Sequence, residues 1–458
     1  MPILASKNAT LEPVFDTGLE TGAGVAPKED NRLRLEDRAA HDWYRFILSY
    51  PPHLVRDYAL KFGLDGGQTV LDPFCGTGTT LVECRKLRLN SVGIEPNPMA
   101  CFASRTKVSW DIDPDGLVEH AGEIAQFANH RLEQEGLGET GGLPLFQGRG
   151  ELPAALRMLP ADTWKFLLKD SISPLPLHKT LVLLEALQAR TDPRFLGHER
   201  LALAKALVFG ISNLHFGPEV GVGPAKRDVP VVNLWLKGIR AMAADLRELN
   251  GLTSAKAVVH MADSRQLVDV LKPRSVDAVV TSPPYPNEKD YTRTTRLESV
   301  LLGFIQSKAD LRALKQTLMR SNTRGVYKDD RDDLLVADHG EIQRIAAHIE
   351  KRRIELGKTS GFERLYARVT KLYFGGMKRH LADLRPILRP GAQLAYVVGD
   401  QASYLRVMIR TGQLLANIAE SLGYEVVGID LFRTRLATAT REQLREEVVL
   451  LRWPGGKT

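Results

Sequence analysis

The stretch Val70-Leu71-Asp72-Pro73-Phe74-Cys75-Gly76-Thr77-Gly78-Thr79-Thr80 constrains this chain more than any other. Gln68 to Leu71 reads as a short buried strand. Asp72 and Pro73 end it, Phe74 to Gly78 make a tight glycine turn, and Thr79 to Leu87 reads as a helix. A strand, a glycine turn and a helix start together form a ligand cradle. Glycine lets the backbone approach a ligand, and the first helical N–H groups are free to donate. In an open α/β sheet such a turn lies at the carboxyl end of a strand, where ligands bind. The plain alternative is a strand-to-helix turn whose glycines serve only sterics. The spacing is Gly-x-Gly with no third glycine, which departs from the dinucleotide fingerprint. No Gly-Lys-Ser/Thr follows, which excludes a nucleoside-triphosphate loop.

Two further turns sit at strand ends. Ser91 to Glu95 is a second short strand, and Glu95 lies roughly 20 residues past the glycine turn, placed to accept hydrogen bonds from ribose hydroxyls. Its alternative role is a capping acid in a β-to-α turn. The strand pattern resumes at Ala257 to Ser264 and at Val276 to Val280, the latter running into Thr281-Ser282-Pro283-Pro284-Tyr285. Two prolines fix φ and remove two N–H donors, which stiffens the turn and leaves carbonyls to face a ligand. Tyr285 adds a flat ring. An acceptor corner beside an aromatic plate suits the exocyclic amine of a base. Gln393–Val398, Glu425–Phe432 and Glu447–Trp453 read as the remaining strands. His53 to Phe62 reads as a helix that either closes over the ligand or simply packs.

The glycine motif and the Ser-Pro-Pro-Tyr turn together resemble the S-adenosylmethionine-dependent DNA amino-methyltransferases of the N4-cytosine and N6-adenine family. The resemblance covers residues 41–105 and 255–453. Ser-Pro-Pro-Tyr is the form typical of N4-cytosine enzymes, and Asp-Pro-Pro-Tyr that of N6-adenine enzymes. The extension Pro286 to Arg293 and the loop Phe216 to Gly221 also look like a subset of these enzymes. The resemblance implies an α/β fold, a Rossmann-like methyltransferase sheet that is mostly parallel, with seven strands, the last antiparallel, and large helical insertions. It implies S-adenosylmethionine as cofactor, with its methionine part held by Asp72, Phe74, Cys75, Gly76, Gly78 and Thr79. Tyr50, beside Pro51 and Pro52, would lie near the cofactor's far side. Glu95 would bind the ribose, and Asp263 the adenine amine, with Ser264 beside it. Ser282, Pro283, Pro284 and Tyr285 would form the pocket for a base flipped out of double-stranded DNA. No metal is implied, and Cys75 is not a methylating nucleophile on this reading. The helical segment between the second and third strands departs from common layouts, in which the recognition domain follows the catalytic turn or sits just before it.

This divides the 458 residues into a flexible lead (1–30), the first part of the methyltransferase domain (31–105) and a helical insertion that is a candidate for target recognition (106–254). The catalytic part (255–305), a helical and charged insertion (306–360) and the C-terminal part (361–458) follow. A net charge of +7 allows a polyanionic partner without demanding one. Lys226, Arg227, Arg320 and Arg324 are candidates for phosphate contact, or else solvated surface charges, and Asn213 to Asp228 reads as a mobile basic loop that tracks a phosphate backbone or as an ordinary surface loop. Asp329–Asp333 and Glu350–Lys358 read as solvated charge runs. The three cysteines suggest neither a disulfide framework nor a metal site, and the chain lacks a signal or membrane segment, so a cytoplasmic setting is expected. A restriction or defence partner fits the reading. The rival readings are adenine-N6 methylation of DNA, methylation of an RNA base with the insertion holding the RNA, and a methyltransferase-like subunit that binds nucleic acid without catalysis. The intact acid, glycine and Pro-Pro-Tyr positions argue against the last.

Overall fold

In the computed structural model, the residues described are 33–45, 49–139, 156–216, 220–252, 254–287, 289–436 and 443–456. The lead 1–30 lies outside them. The strands are β1 (Thr69–Asp72), β2 (Asn90–Ile94), β3 (Leu214–Phe216), β4 (Val220–Val222), β5 (Ala257–His260), β6 (Val276–Thr281), β7 (Leu388–Gly399), β8 (Glu425–Leu436) and β9 (Gln443–Arg452). Seven form one sheet in the order β5-β2-β1-β6-β7-β9-β8. The pairs β5–β2, β2–β1, β1–β6 and β6–β7 are parallel, and β9 runs antiparallel between β7 and β8. This is the Rossmann-like methyltransferase sheet expected from the sequence, with its last strand reversed.

Side chains alternate across a strand, so neighbours in sequence must find different partners. Val70 and Val280 face one way, with Ala395, Val397 and Val448, into a core closed by Leu54, Val55 and Tyr58 of the helix Pro52–Lys61. That helix is therefore a packing helix. Leu71 and Val279 face the other way with Leu394 and Tyr396, against Val369, Tyr373 and Phe374 of the helix Tyr366–Leu384 and Leu414 and Ile418 of the helix Thr411–Ser421. Because both faces are covered, the central strands read as unbroken apolar runs rather than alternating ones.

Among the described residues of 106–254 the main elements are the helices Pro114–Gln134, Pro174–Ala189, Leu196–Ala206 and Val231–Leu249. Leu117, Ile124, Leu183, Leu203 and Trp235 share one hydrophobic core with Trp43, Leu81, Val82 and Met99. The insertion thus rests directly on the helices that flank the glycine turn.

Three expectations about charge need correction. Asn213 to Asp228 is held in place: β3 and β4 pair as an antiparallel ribbon, with Gly217 to Glu219 outside the described residues. The Lys226 backbone N–H donates to Asn213 Oδ1 at 2.9 Å and its Nζ to the Gly210 carbonyl at 2.6 Å. Burial pushes that ammonium's pKa down. Arg320 is buried, with its guanidinium on Asp330 at 2.8 Å and on the Lys315 carbonyl at 2.9 Å. Lys226 and Arg320 are spent inside the fold, while Arg227 and Arg324 remain exposed. The run Asp329–Asp333 is not solvated throughout, because Asp330 receives Arg320 and Asp332 receives Arg265 at 3.0 Å. A charge run in sequence cannot reveal a partner that arrives from a distant segment.

Candidate functional site

β1 and β6 are parallel neighbours, with Val70 opposite Ala278 and Leu71 opposite Val279. Their carboxyl ends therefore lie side by side, and the two turns that follow them meet. Asp72 occupies the junction at 1% exposure. Its Oδ1 accepts the Thr281 hydroxyl at 2.5 Å and the Phe74 N–H at 3.1 Å. Its Oδ2 accepts the Thr80 hydroxyl at 2.5 Å, and Thr80 in turn accepts the Tyr50 hydroxyl. Burial raises the Asp72 carboxyl from its ordinary 3.8 to about 6, and the hydroxyls of Thr281 and Thr80 hold it back. Asp72 is thus a strut between the glycine turn and the proline turn.

Gly78 leaves the turn with φ of +86° and caps the helix Thr79–Lys86. A Cβ there would lie 2.5 Å from Ser104 Oγ, so the position demands glycine on both conformation and space. The Cys75 N–H is taken by the Ile94 carbonyl at 3.1 Å, which docks the turn onto β2. Burial pushes the Cys75 thiol well above its ordinary pKa.

Glu95 closes the other side of the turn. Its Oε2 accepts the Gly76 N–H at 3.0 Å and its Oε1 the Asn97 N–H at 2.8 Å. Burial raises its pKa from the ordinary 4.5 to about 7, against those two backbone donors. Each oxygen keeps a lone pair for a hydroxyl. Asn97 caps the helix Pro98–Lys107 by accepting the Met99 N–H at 3.1 Å, and its amide donates to Thr295 at 3.1 Å. Asp263, past β5, takes the Arg265 guanidinium on both oxygens, at 3.0 and 2.7 Å. The Ser264 carbonyl accepts His380 Nδ1–H at 2.8 Å, and Phe74 stacks edge-on to that imidazole with ring centroids 4.9 Å apart.

In the proline turn, the Ser282 hydroxyl donates to the Val397 carbonyl of β7 at 3.1 Å. Among the described residues no donor reaches the carbonyls of Pro283 or Pro284. The Tyr285 N–H points at the Tyr291 hydroxyl at 3.4 Å, and the Tyr285 carbonyl accepts the Asn287 N–H at 2.9 Å. Its ring lies over the end of β7, where a Cβ at Gly399 would sit 3.1 Å from Tyr285 Cε2. Asp290 anchors the following segment, receiving the Thr292 N–H at 3.0 Å and Lys315 Nζ at 3.0 Å. Thr80 and Thr281 were not singled out from sequence. A threonine at a strand end carries no signal until its neighbour across the sheet is known.

A glycine cradle at the end of β1, an acid after β2 and a rigid acceptor turn after the adjacent β6 sit on a Rossmann-like methyltransferase fold. A family model described as DNA methylase, of the N6/N4 methyltransferase type, matches residues 37–104. The chain is 25% identical over 441 residues to Type II methyltransferase M.BsoBI of Geobacillus stearothermophilus, covering 91% of this chain and 85% of that one. It is 22% identical over 465 residues to Type II methyltransferase M.AvaI of Nostoc sp., covering 98% and 93%. A further match, to Type II methyltransferase M.MjaII of Methanocaldococcus jannaschii, is 42% identical over 73 residues, 16% of this chain and 14% of the other. These similarities agree with the resemblance to N4/N6 DNA amino-methyltransferases that the motifs carry. The family implies S-adenosylmethionine, and the open glycine turn and the spare lone pairs of Glu95 fit such a ligand. Among the described residues no helix is long and apolar enough to cross a membrane.

Proposed function

We propose that the chain is a Type II DNA methyltransferase that methylates N4 of cytosine at a specific sequence in double-stranded DNA. The observation that carries this reading is the Ser282-Pro283-Pro284-Tyr285 turn at the end of β6, fastened through Thr281 and Asp72 to the glycine turn of β1. S-adenosylmethionine supplies an electrophilic methyl group on a sulfonium, so neither a metal nor a covalent nucleophile is needed. The chain's task is to hold the two reactants in line. Phe74, Cys75, Gly76, Gly78 and Thr79 line the methionine end, with Tyr50 behind them, and Asp72 fixes the turn from below. Glu95 accepts from the ribose hydroxyls. Asp263 offers the adenine amine the lone pairs that Arg265 leaves, with Ser264 beside it.

The cytosine amine is a weak nucleophile because its lone pair is delocalised into the ring. The carbonyl of Pro283, assisted by Ser282, draws its N–H groups and favours a tetrahedral nitrogen. Pro284 keeps the corner rigid. Tyr285 stacks on the base, which leaves the duplex to reach it. Residues 106–254 and 306–360 read the target, with Arg227 and Arg324 on phosphates. The relatives are named Type II methyltransferases, which supports a restriction-modification setting; a restriction or defence partner and a cytoplasmic location belong to the same reading.

Expression in a host free of DNA methylation, followed by sequencing that detects modified bases, tests this reading. N4-methylcytosine within a recurring sequence is expected. N6-methyladenine would move the activity to the sister branch of the family, and unmodified DNA would remove it.

A further inference from the structure

Beside the glycine turn lies a small cavity lined by His41, Arg45, Ser49, Tyr50, Thr79 and Lys107. Lys107 ends the helix Pro98–Lys107 and is 1% exposed. A lysine buried to that degree is ordinarily paired. Here no acceptor among the described residues hydrogen-bonds its ammonium. The acids around it are committed elsewhere. Glu83 is taken by His41 at 2.7 Å and by Arg56, and Asp42 by Lys205 at 3.2 Å. Burial, with Arg45 and Lys86 nearby, pulls the Lys107 pKa down to about 7.

The cavity is also lined by Thr79, the first residue of the helix Thr79–Lys86. Its N-cap, Gly78, offers no side chain, and no acceptor among the described residues meets the N–H groups of Thr79 or Thr80. A helix start attracts negative charge. An unpaired buried ammonium and an uncapped helix start therefore face one small space. Both are costly to leave unsatisfied, and one anion would satisfy both.

We propose that this cavity is a carboxylate receptor, and that Lys107 with the start of the Thr79–Lys86 helix binds the α-carboxylate at the methionine end of the cofactor. The inference rests on the methyltransferase reading of the glycine turn. It assigns to cofactor binding a residue that lies outside the sequence motifs, on the helix after β2. His41 and Arg45 of the N-terminal segment also line the cavity.

The test uses the full chain and two probes, S-adenosylhomocysteine and its carboxamide, which keeps the shape and the amine but loses the negative charge. Calorimetric titration of Lys107→Met should give a loss of about tenfold or more for S-adenosylhomocysteine, the range of a charge-assisted hydrogen bond. The carboxamide should bind the variant and the natural chain alike. An equal loss for both probes would overturn the proposal, because it would make Lys107 a structural residue. No loss for either would also overturn it. Should Lys107→Met fail to fold, the natural chain still decides: a preference of about tenfold for the carboxylate over the carboxamide supports the receptor, and equal binding refutes it. A natural chain that binds neither probe would defeat the methyltransferase reading instead.

Discussion

Replacing Thr281 with valine removes one hydroxyl and leaves the shape of the strand end nearly unchanged. The hydroxyl donates to Asp72 Oδ1 at 2.5 Å, and both residues are buried. A hydrogen bond to a charged group contributes about 1.5–3 kcal/mol net, and the abandoned oxygen keeps only the Phe74 N–H. The pH dependence gives the change a signature. The Asp72 pKa is raised from 3.8 to about 6, so its proton is held more tightly in the folded chain than in the unfolded one. Its stabilisation is complete below pH 3.8 and is lost as pH rises through about 6. In Thr281→Val the pKa rises further, because a donor to the ionised form is gone. The cost should therefore be full, about 2 kcal/mol, at pH 8 and smaller at pH 5, where the carboxyl is protonated in both proteins. Urea unfolding at the two pH values measures this. Loss of the strut should also lower kcat by about tenfold or more while the dissociation constant for S-adenosylhomocysteine changes little, because Thr281 aligns the proline turn and not the cofactor. An equal stability loss at both pH values, or an unchanged kcat, would refute the strut.

Other expectations follow from the same geometry. Glu95 titrates near pH 7, and its ionised form accepts better from ribose hydroxyls, so affinity for S-adenosylhomocysteine should rise between pH 6 and 8. In Glu95→Gln that rise should vanish, and a titration series at several pH values would reveal a persistent slope if the assignment is wrong. Gly78→Ala places a methyl 2.5 Å from Ser104 Oγ at a positive φ, and thermal melts should show a loss of about 1–3 kcal/mol together with weakened cofactor binding. Tyr285→Ala should cut methyl transfer by about 10–100-fold, the range of one base–aromatic stack, whereas Tyr285→Phe should stay within a few-fold of the natural chain. Equal rates for the alanine and phenylalanine variants would mean that the ring does not stack on the base.

The sheet was legible because its strands are short apolar runs stopped by Gly, Pro or acid, and because both ends of the cradle carry such stops. Asp72-Pro73 and Ser282-Pro283 mark the ends of β1 and β6 within a residue of their places in the fold. What could not be read were relations between distant segments. The pairing of Arg320 with Asp330, and the stapling of Lys226 to Gly210, depend on how loops return to the body, and periodicity carries no record of that. Asp72 was singled out as a cofactor residue, but its carboxylate turns inward, because the strand placed beside β1 brings Thr281 to it. Lys107 gave no signal at all. A lysine at a helix end is usually solvated, and its burial follows from the N-terminal segment folding across it.

The central claim is that the two turns together transfer a methyl group to cytosine N4. The purified chain, incubated with unmethylated duplex DNA and S-adenosylmethionine labelled in the methyl group, can be tested by digesting the DNA to nucleosides and separating them by mass. The account predicts label in N4-methyldeoxycytidine, reduced about 10–100-fold when Tyr285 is alanine. Label in N6-methyldeoxyadenosine alone, or no labelled nucleoside under conditions where the chain binds both cofactor and DNA, would contradict it.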